Sequence, residues 1–249
     1  MREAPMDPDF LNVYDDDARA KAYAALEYPG TYSLAFRDLP AIIRENVRGT
    51  RALDFGCGAG RSTRFLRDLG FRVLGIDISE AMLQEARLRD PQGDYRLVPD
   101  GEPPDLADGA YDLVLAAFTF DNIPTMDRKV TLFQALRRSL HASGCMITIV
   151  SAPEIYLHEW ASFSTRDFPE NRLARTGDRV RIVMLDVADR RPVEDILWNP
   201  EDYEEAHRRA GLVCVRTIRP LGQATEPYSW VSETRISPWT IRVLRGAGE

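Results

Sequence analysis

Long apolar runs, cysteine, histidine and lysine are all scarce in these 249 residues. No stretch approaches the ~18 consecutive apolar residues of a membrane-crossing helix, so a spanning protein is not expected. The N-terminal MREAPMDPDFLNVYDDD is acidic and lacks the basic and apolar regions of a signal peptide, which points to the cytoplasm. Cys57, Cys145 and Cys214 form an odd set with no CxxC spacing and no neighbouring histidine cluster, so neither a disulfide scaffold nor a metal site is indicated. Lysine occurs only at Lys21 and Lys129. With 39 acidic against 32 basic residues, the net charge of -7 repels phosphate backbones and anionic lipid, so neither nucleic acid nor a membrane is expected as a partner.

What is present is an alternation of short apolar runs with amphipathic stretches. RALDFG (51–56) reads as a strand, followed after glycines by a helix over 62–70 that stops at Gly70. FRVLGIDI (71–78) is a second strand, with Ser79 placed to cap the helix that Pro91 ends. DYRLVP (94–99) and YDLVLAAF (111–118) are the third and fourth strands, the latter with the continuous apolar character of a strand covered on both faces. A helix from Asp127 and the strand CMITIV (145–150) complete the run. Asn199 and Pro200 then open a further helix, and VCVRTIRP and 237–245 supply the last strands. The expected fold is a doubly wound, mostly parallel seven-stranded α/β sheet.

Two stretches fall outside the rhythm. Residues 1–48 form a tyrosine-rich helical preface with Tyr14, Tyr23, Tyr28 and Tyr32, and 151–195 is an insertion after the fifth strand. Both read as a cap over the functional edge of one domain, whose cofactor-binding core spans 49–150 and resumes at 196–249. Trp160, Phe163 and Trp198 read as its packing residues.

The chemistry-bearing signal is LDFGCGAGR (53–61), a glycine loop between the first strand and the first helix. Glycines here let a ligand approach the backbone closely. Arg61 occupies the place where a dinucleotide loop needs its third small residue, and Asp54 is a poor neighbour for pyrophosphate but a good one for a cationic ligand. Asp77, at the end of the second strand, can chelate a ribose diol, and Asp100 with Gly101 can read an amine and a ring nitrogen. The implied ligand is a nucleoside without phosphates that carries a positively charged tail.

These motifs resemble the class I S-adenosylmethionine-dependent methyltransferases, in particular the small-molecule branch. LDFGCGAG is similar to the first motif of that family, GIDISEAML to its post-loop acidic motif, and 95–123 to the stretch over its third and fourth strands. The resemblance implies a Rossmann-like methyltransferase fold that binds S-adenosylmethionine and releases S-adenosylhomocysteine. Asp54, Gly56 and Gly58, with Cys57 between them, would lie against the methionine part. Asp77 and Ile78 would hold the ribose end, Met82 would pack on adenine, Asp100 and Gly101 would read the adenine edge, and Ala117 and Phe118 would border the sulfonium.

Departures from the family's pattern bear on mechanism. Many relatives carry histidines after the fourth strand, where this chain has Phe120, Asp121 and Asn122, so Asp121 is the candidate base or amine-orienting group there. His158, in the aromatic segment IYLHEWASF, is the second candidate base, whereas His141 in a loop and His207 on a charged helix face read as structural. Tyr23, Tyr32 and Arg37 are candidates for a clamp on the cofactor carboxylate, because an arginine fork matches that geometry. No Asn/Asp-Pro-Pro-Tyr tetrad follows the fourth strand, which disfavours DNA adenine methylation. The expected activity is methyl transfer to an oxygen, nitrogen or carbon of a small molecule. A peptide or protein-terminus methyltransferase, an inactive cofactor-binding relative and a homodimer stay open at this point, and a nicotinamide-dependent dehydrogenase is opposed by Arg61.

Overall fold

The computed structural model describes residues 17–100 and 102–248; Gly101 and Tyr14 lie outside the described residues. Seven strands form one sheet: β1 (Arg51–Phe55), β2 (Arg72–Asp77), β3 (Asp94–Leu97), β4 (Tyr111–Ala117), β5 (Leu140–Ser151), β9 (Leu212–Ile218) and β10 (Trp239–Gly246). Their order is β3-β2-β1-β4-β5-β10-β9, parallel throughout except for β10, which runs antiparallel to both β5 and β9. This is the doubly wound sheet expected from the alternation of apolar runs. The chain order reverses between β1 and β4, and ligands in open α/β sheets bind at such a switch point, beyond the carboxyl ends of the strands.

Alternating residues of the central strands feed two cores. Ala52, Leu113, Leu115, Ile147 and Ile241 face one side, and Leu53, Val114, Met146 and Leu244 face the other. The first side is covered by α2 (Thr31–Phe36) and α3 (Leu39–Asn46) together with Leu66 of α4 (Arg61–Asp68). The second is covered by α6 (Met126–Ser139) and α7 (Pro200–Arg209), whose Phe133, Leu136, Tyr203 and Ala206 are buried. The helix starts follow their caps. Ser79 accepts from the Met82 amide at 3.3 Å ahead of α5 (Glu80–Arg89), and the Asn199 amide donates to Asp202 at 2.9 Å ahead of α7.

The insertion carries more order than the sequence reading assigned to it. β6 (Phe163–Ser164), β7 (Arg179–Met184) and β8 (Val193–Ile196) form a separate antiparallel sheet that packs Phe163, Val180 and Ile182 into the first core. Alternation in RVRIVM is the signal for β7, with Val180, Ile182 and Met184 buried. Helix α1 (Asp17–Ala24) packs against α5. Its Ala20 and Ala24 meet Ala59 and Met82, and Arg19 donates to the Pro192 carbonyl at 2.7 Å and the Arg191 carbonyl at 3.3 Å, joining the helix to the β7–β8 hairpin. No helix among the described residues is long and apolar enough to cross a membrane.

Candidate active site

Two cavities meet at the glycine loop at the carboxyl edge of β1, β2 and β4. The larger has about 180 Å³ of space and the smaller about 40 Å³; Tyr23, Gly56, Gly58, Ala117 and Phe118 line both. The loop takes its shape from backbone conformations that disfavour side chains. Gly56 has φ +72°, and a Cβ there would come within 2.2 Å of Thr119 Oγ1, which itself donates to the Phe55 carbonyl at 2.8 Å. Gly58 has φ +52°, and a Cβ there would meet only Met82 Cε, at 3.0 Å. Gly56 is therefore constrained by protein on its Cβ side, while Gly58 has a more open surrounding and borders both cavities.

Asp77 is held by two backbone donors, the Gly58 amide at 2.8 Å and the Ser79 amide at 2.9 Å, and it lines the larger cavity. Asp54 sits beneath the loop and outside both linings. Its Oδ2 accepts from the Ser62 and Thr63 hydroxyls at 2.7 and 2.6 Å, while Oδ1 is buried with no hydrogen-bond partner. Burial pushes this carboxyl up to about 6, against the pull of the two hydroxyls. Cys57 lines the smaller cavity, where burial pushes its thiol well up and leaves it unreactive.

Along the larger cavity, Ile78 and Met82 face Val98, Pro99 and Asp100. Asp100 forms an ion pair with Arg128. Phe118 lies where the two cavities adjoin; it is the one non-glycine among the described residues with positive φ (+65°), so the backbone leaves β4 through a strained corner.

At the smaller cavity the structure departs from expectation. Arg37 lines neither cavity; it pairs with Asp38 at 2.9 Å and Glu226 at 2.8 Å, contacts that raise its pKa. Arg61 takes the position the sequence reading gave to Arg37. Its side chain is buried among the rings of Tyr23, Tyr28, Tyr32 and Phe36, 5.0 to 5.7 Å from their centroids. It donates to the Glu27 carbonyl at 2.6 Å and to the Tyr23 hydroxyl at 3.4 Å, and forms no ion pair with any described residue. Tyr32 lines no cavity but forms one wall of this cage, with its hydroxyl 3.2 Å from Met184 Sδ. In the sequence Arg61 counted only against a dinucleotide loop; its place at the first turn of α4, facing the loop, is the signal for a ligand contact.

A family model for a methyltransferase domain matches residues 53–148. The chain is 28% identical over 202 residues to N-demethylindolmycin N-methyltransferase of Streptomyces griseus, covering 80% of this chain and 84% of that protein. It is 31% identical over 132 residues to malonyl-[acyl-carrier protein] O-methyltransferase of Enterobacter lignolyticus, with 51% of each covered, so it spans about half of that relative. A solved S-adenosylmethionine-dependent methyltransferase from Mesorhizobium loti shares the fold, with a TM-score of 0.62 at 19% identity over 87% of this chain and all of that one.

The chain is similar to S-adenosylmethionine-dependent methyltransferases, and its residues 53–148 match a methyltransferase domain. The residues of the site fit S-adenosylmethionine. Arg61, buried and without a carboxylate partner among the described residues, lines the smaller cavity, an orphaned carboxylate oxygen of Asp54 lies under the loop, and Asp77 at the end of β2 lines the larger cavity.

The two candidate bases are not brought to either cavity. Asp121 is buried behind the turn Thr119–Asn122, where it accepts from the Ser151 amide at 2.9 Å and the Tyr203 hydroxyl at 3.3 Å. Burial raises its pKa. Beside it the Lys129 ammonium donates to the Phe120 carbonyl and lies 4.6 Å from the Trp198 ring and 5.1 Å from Tyr203, with its pKa lowered to about 7 by burial. Asp121 thus ties the β4 turn to β5 and α7. His158 packs edge-on against Trp160 with centroids 6.1 Å apart and lines neither cavity. His207 lies in the core rather than on a charged face; burial pushes it down to about 3.

Proposed function

We propose that this chain transfers a methyl group from S-adenosylmethionine to a small organic acceptor bound beside Phe118. The observation that carries the reading is the pair of cavities joined at Gly58, with Asp77 facing the larger and Arg61 facing the smaller. Bound there, the cofactor supplies a methyl group already activated on a sulfonium. Asp77 receives ribose hydroxyls, its carboxylate pre-oriented by two amides. Met82 and Ile78 would pack against the adenine, and Asp100, paired with Arg128, would accept from its amine. Asp54 favours the cationic end through the field beneath the loop, and Arg61 with Tyr23 holds the carboxylate. Ala117 and the Phe118 corner flank the reacting carbon, so alignment and water exclusion account for most of the rate.

The relatives, N-demethylindolmycin N-methyltransferase and ubiquinone biosynthesis O-methyltransferases among them, support a small-molecule acceptor. The same reading places the protein in the cytoplasm, with no nucleic acid or membrane partner, and leaves a homodimer to measurement of its solution mass. The test is calorimetric titration with S-adenosylmethionine and S-adenosylhomocysteine, joined to a search for extract masses increased by one methylene. Absence of heat with either ligand, on folded protein, refutes the reading.

A further inference from the structure

Glu194, on β8, is the one residue of 151–198 that lines the larger cavity. The strand around it is clamped on both sides. Before it, Arg19 holds the Arg191 and Pro192 carbonyls; after it, Asp195 is buried and accepts from the Tyr156 hydroxyl at 3.0 Å, and the Trp198 indole donates to the Ile123 carbonyl at 3.2 Å. Val193 and Ile196 are buried as well, so the Glu194 backbone has little freedom to withdraw. Across the β7–β8 ladder, Arg179 donates to Glu194 Oε1 at 2.9 Å and fixes the carboxylate, while Oε2 takes no hydrogen bond from any described residue.

The other charged groups of the cavity wall already have assignments. Asp77 is engaged by the loop amides, Asp100 and Arg128 neutralise one another, and Glu102 follows Gly101 at the adenine end. Among the described residues no lysine or histidine lines the cavity, and Arg128 is its only arginine. An anionic acceptor would find no free cation there. An apolar body would find Phe55, Ile76, Val98, Ile123 and Leu132, and a cationic group would find Glu194.

We infer that Glu194 faces the acceptor and that the acceptor is an amine carried on an apolar body. This rests on the methyl-transfer reading above. The resting ammonium hydrogen-bonds to Glu194 and passes one proton to its carboxylate. The freed nitrogen lone pair then forms the new N–C bond as the S–C bond breaks, the bonding pair leaving with the thioether. The product is the methylated ammonium, and the proton on Glu194 returns to water.

The test compares two ligands of known structure on the wild type and on Glu194→Gln: S-adenosylhomocysteine, neutral at sulfur, and sinefungin, the analogue with a protonated amino group in place of the methyl sulfonium. Wild type is expected to prefer the amine. Glu194→Gln should reduce that preference roughly tenfold, with S-adenosylhomocysteine affinity changed less than about twofold. Arg179→Gln, which removes the competing cation, should increase the preference and serves as an independent arm if Glu194→Gln does not fold. An unchanged preference in the variant that folds overturns the role of Glu194. A methylated product whose new methyl sits on oxygen or carbon, identified by mass fragmentation, overturns the amine assignment. Failure of the wild type to bind either ligand is a separate outcome and refutes the methyl-transfer reading itself.

Discussion

Replacing Arg61 with methionine separates the carboxylate clamp from the rest of the cofactor site. The guanidinium has five N–H donors, and the described residues engage it only at the Glu27 carbonyl and the Tyr23 hydroxyl, so donor capacity is left toward the smaller cavity. A hydrogen bond between charged partners contributes about 1.5 to 3 kcal/mol, equivalent to roughly 10- to 150-fold in affinity. Methionine keeps an apolar stem among the four rings and removes the charge. Calorimetry on Arg61→Met with S-adenosylhomocysteine should therefore show a loss in that range, whereas methylthioadenosine, which lacks the amino-acid end, should bind as it does to wild type. The difference between the two losses isolates the carboxylate contact in the manner of a double-mutant cycle. Arg37→Met, which breaks ion pairs away from both cavities, should leave both affinities unchanged. Equal losses for the two ligands in Arg61→Met, or a selective loss in Arg37→Met, would refute the assignment.

The glycines should separate in a second experiment. Gly58→Ala, strained by its φ of +52° but meeting only Met82 Cε, should abolish cofactor binding at a small cost in melting temperature, whereas Gly56→Ala, which drives a Cβ into Thr119, should lower the melting temperature much further. For the buried carboxylate, Asp121→Asn should lower thermal stability and change turnover on the identified acceptor by less than about threefold, and His158→Ala should change neither; a ~10²-fold loss of turnover in natively folded Asp121→Asn would restore Asp121 as the base. His207 gives a pH signature. Its folded pKa of about 3 lies below the unfolded 6.5, so the unfolded chain binds the extra proton and stability is lost as pH falls from 6.5 toward 3, by up to about 1.4 kcal/mol per unit. Denaturant titrations of wild type and His207→Leu at pH 7.5 and 5 should converge on that difference, and parallel pH dependences would contradict it.

Much of this architecture is legible in the chain because it is local. The strand runs at 51–56, 71–78 and 111–118, the Ser79 cap and the glycine loop declare themselves within windows of ten residues, and the cavity forms where their ends meet. What escaped the sequence depends on partners far apart in it. Arg37 has the chemistry of a clamp, but Glu226 takes it up. Asp121 stands where a base is expected, yet Ser151 and Tyr203 bury it. Glu194 is one of many acidic residues until β8 carries it to the cavity wall. The antiparallel sheet of the insertion was readable from its alternation, but it competed with a dense run of arginines and aspartates.

Helix α1 bears on both cavities. Its tip Tyr23 lines both cavities, its own Ala20 and Ala24 rest on Ala59, Ala81 and Met82, and Arg19 links it to the hairpin that carries Glu194. So small a seat opens at lower free-energy cost than the sheet beneath it. Because Tyr23 lines both cavities, a shift of α1 would change the two at once, and through Arg19 it would be felt at the hairpin that carries Glu194.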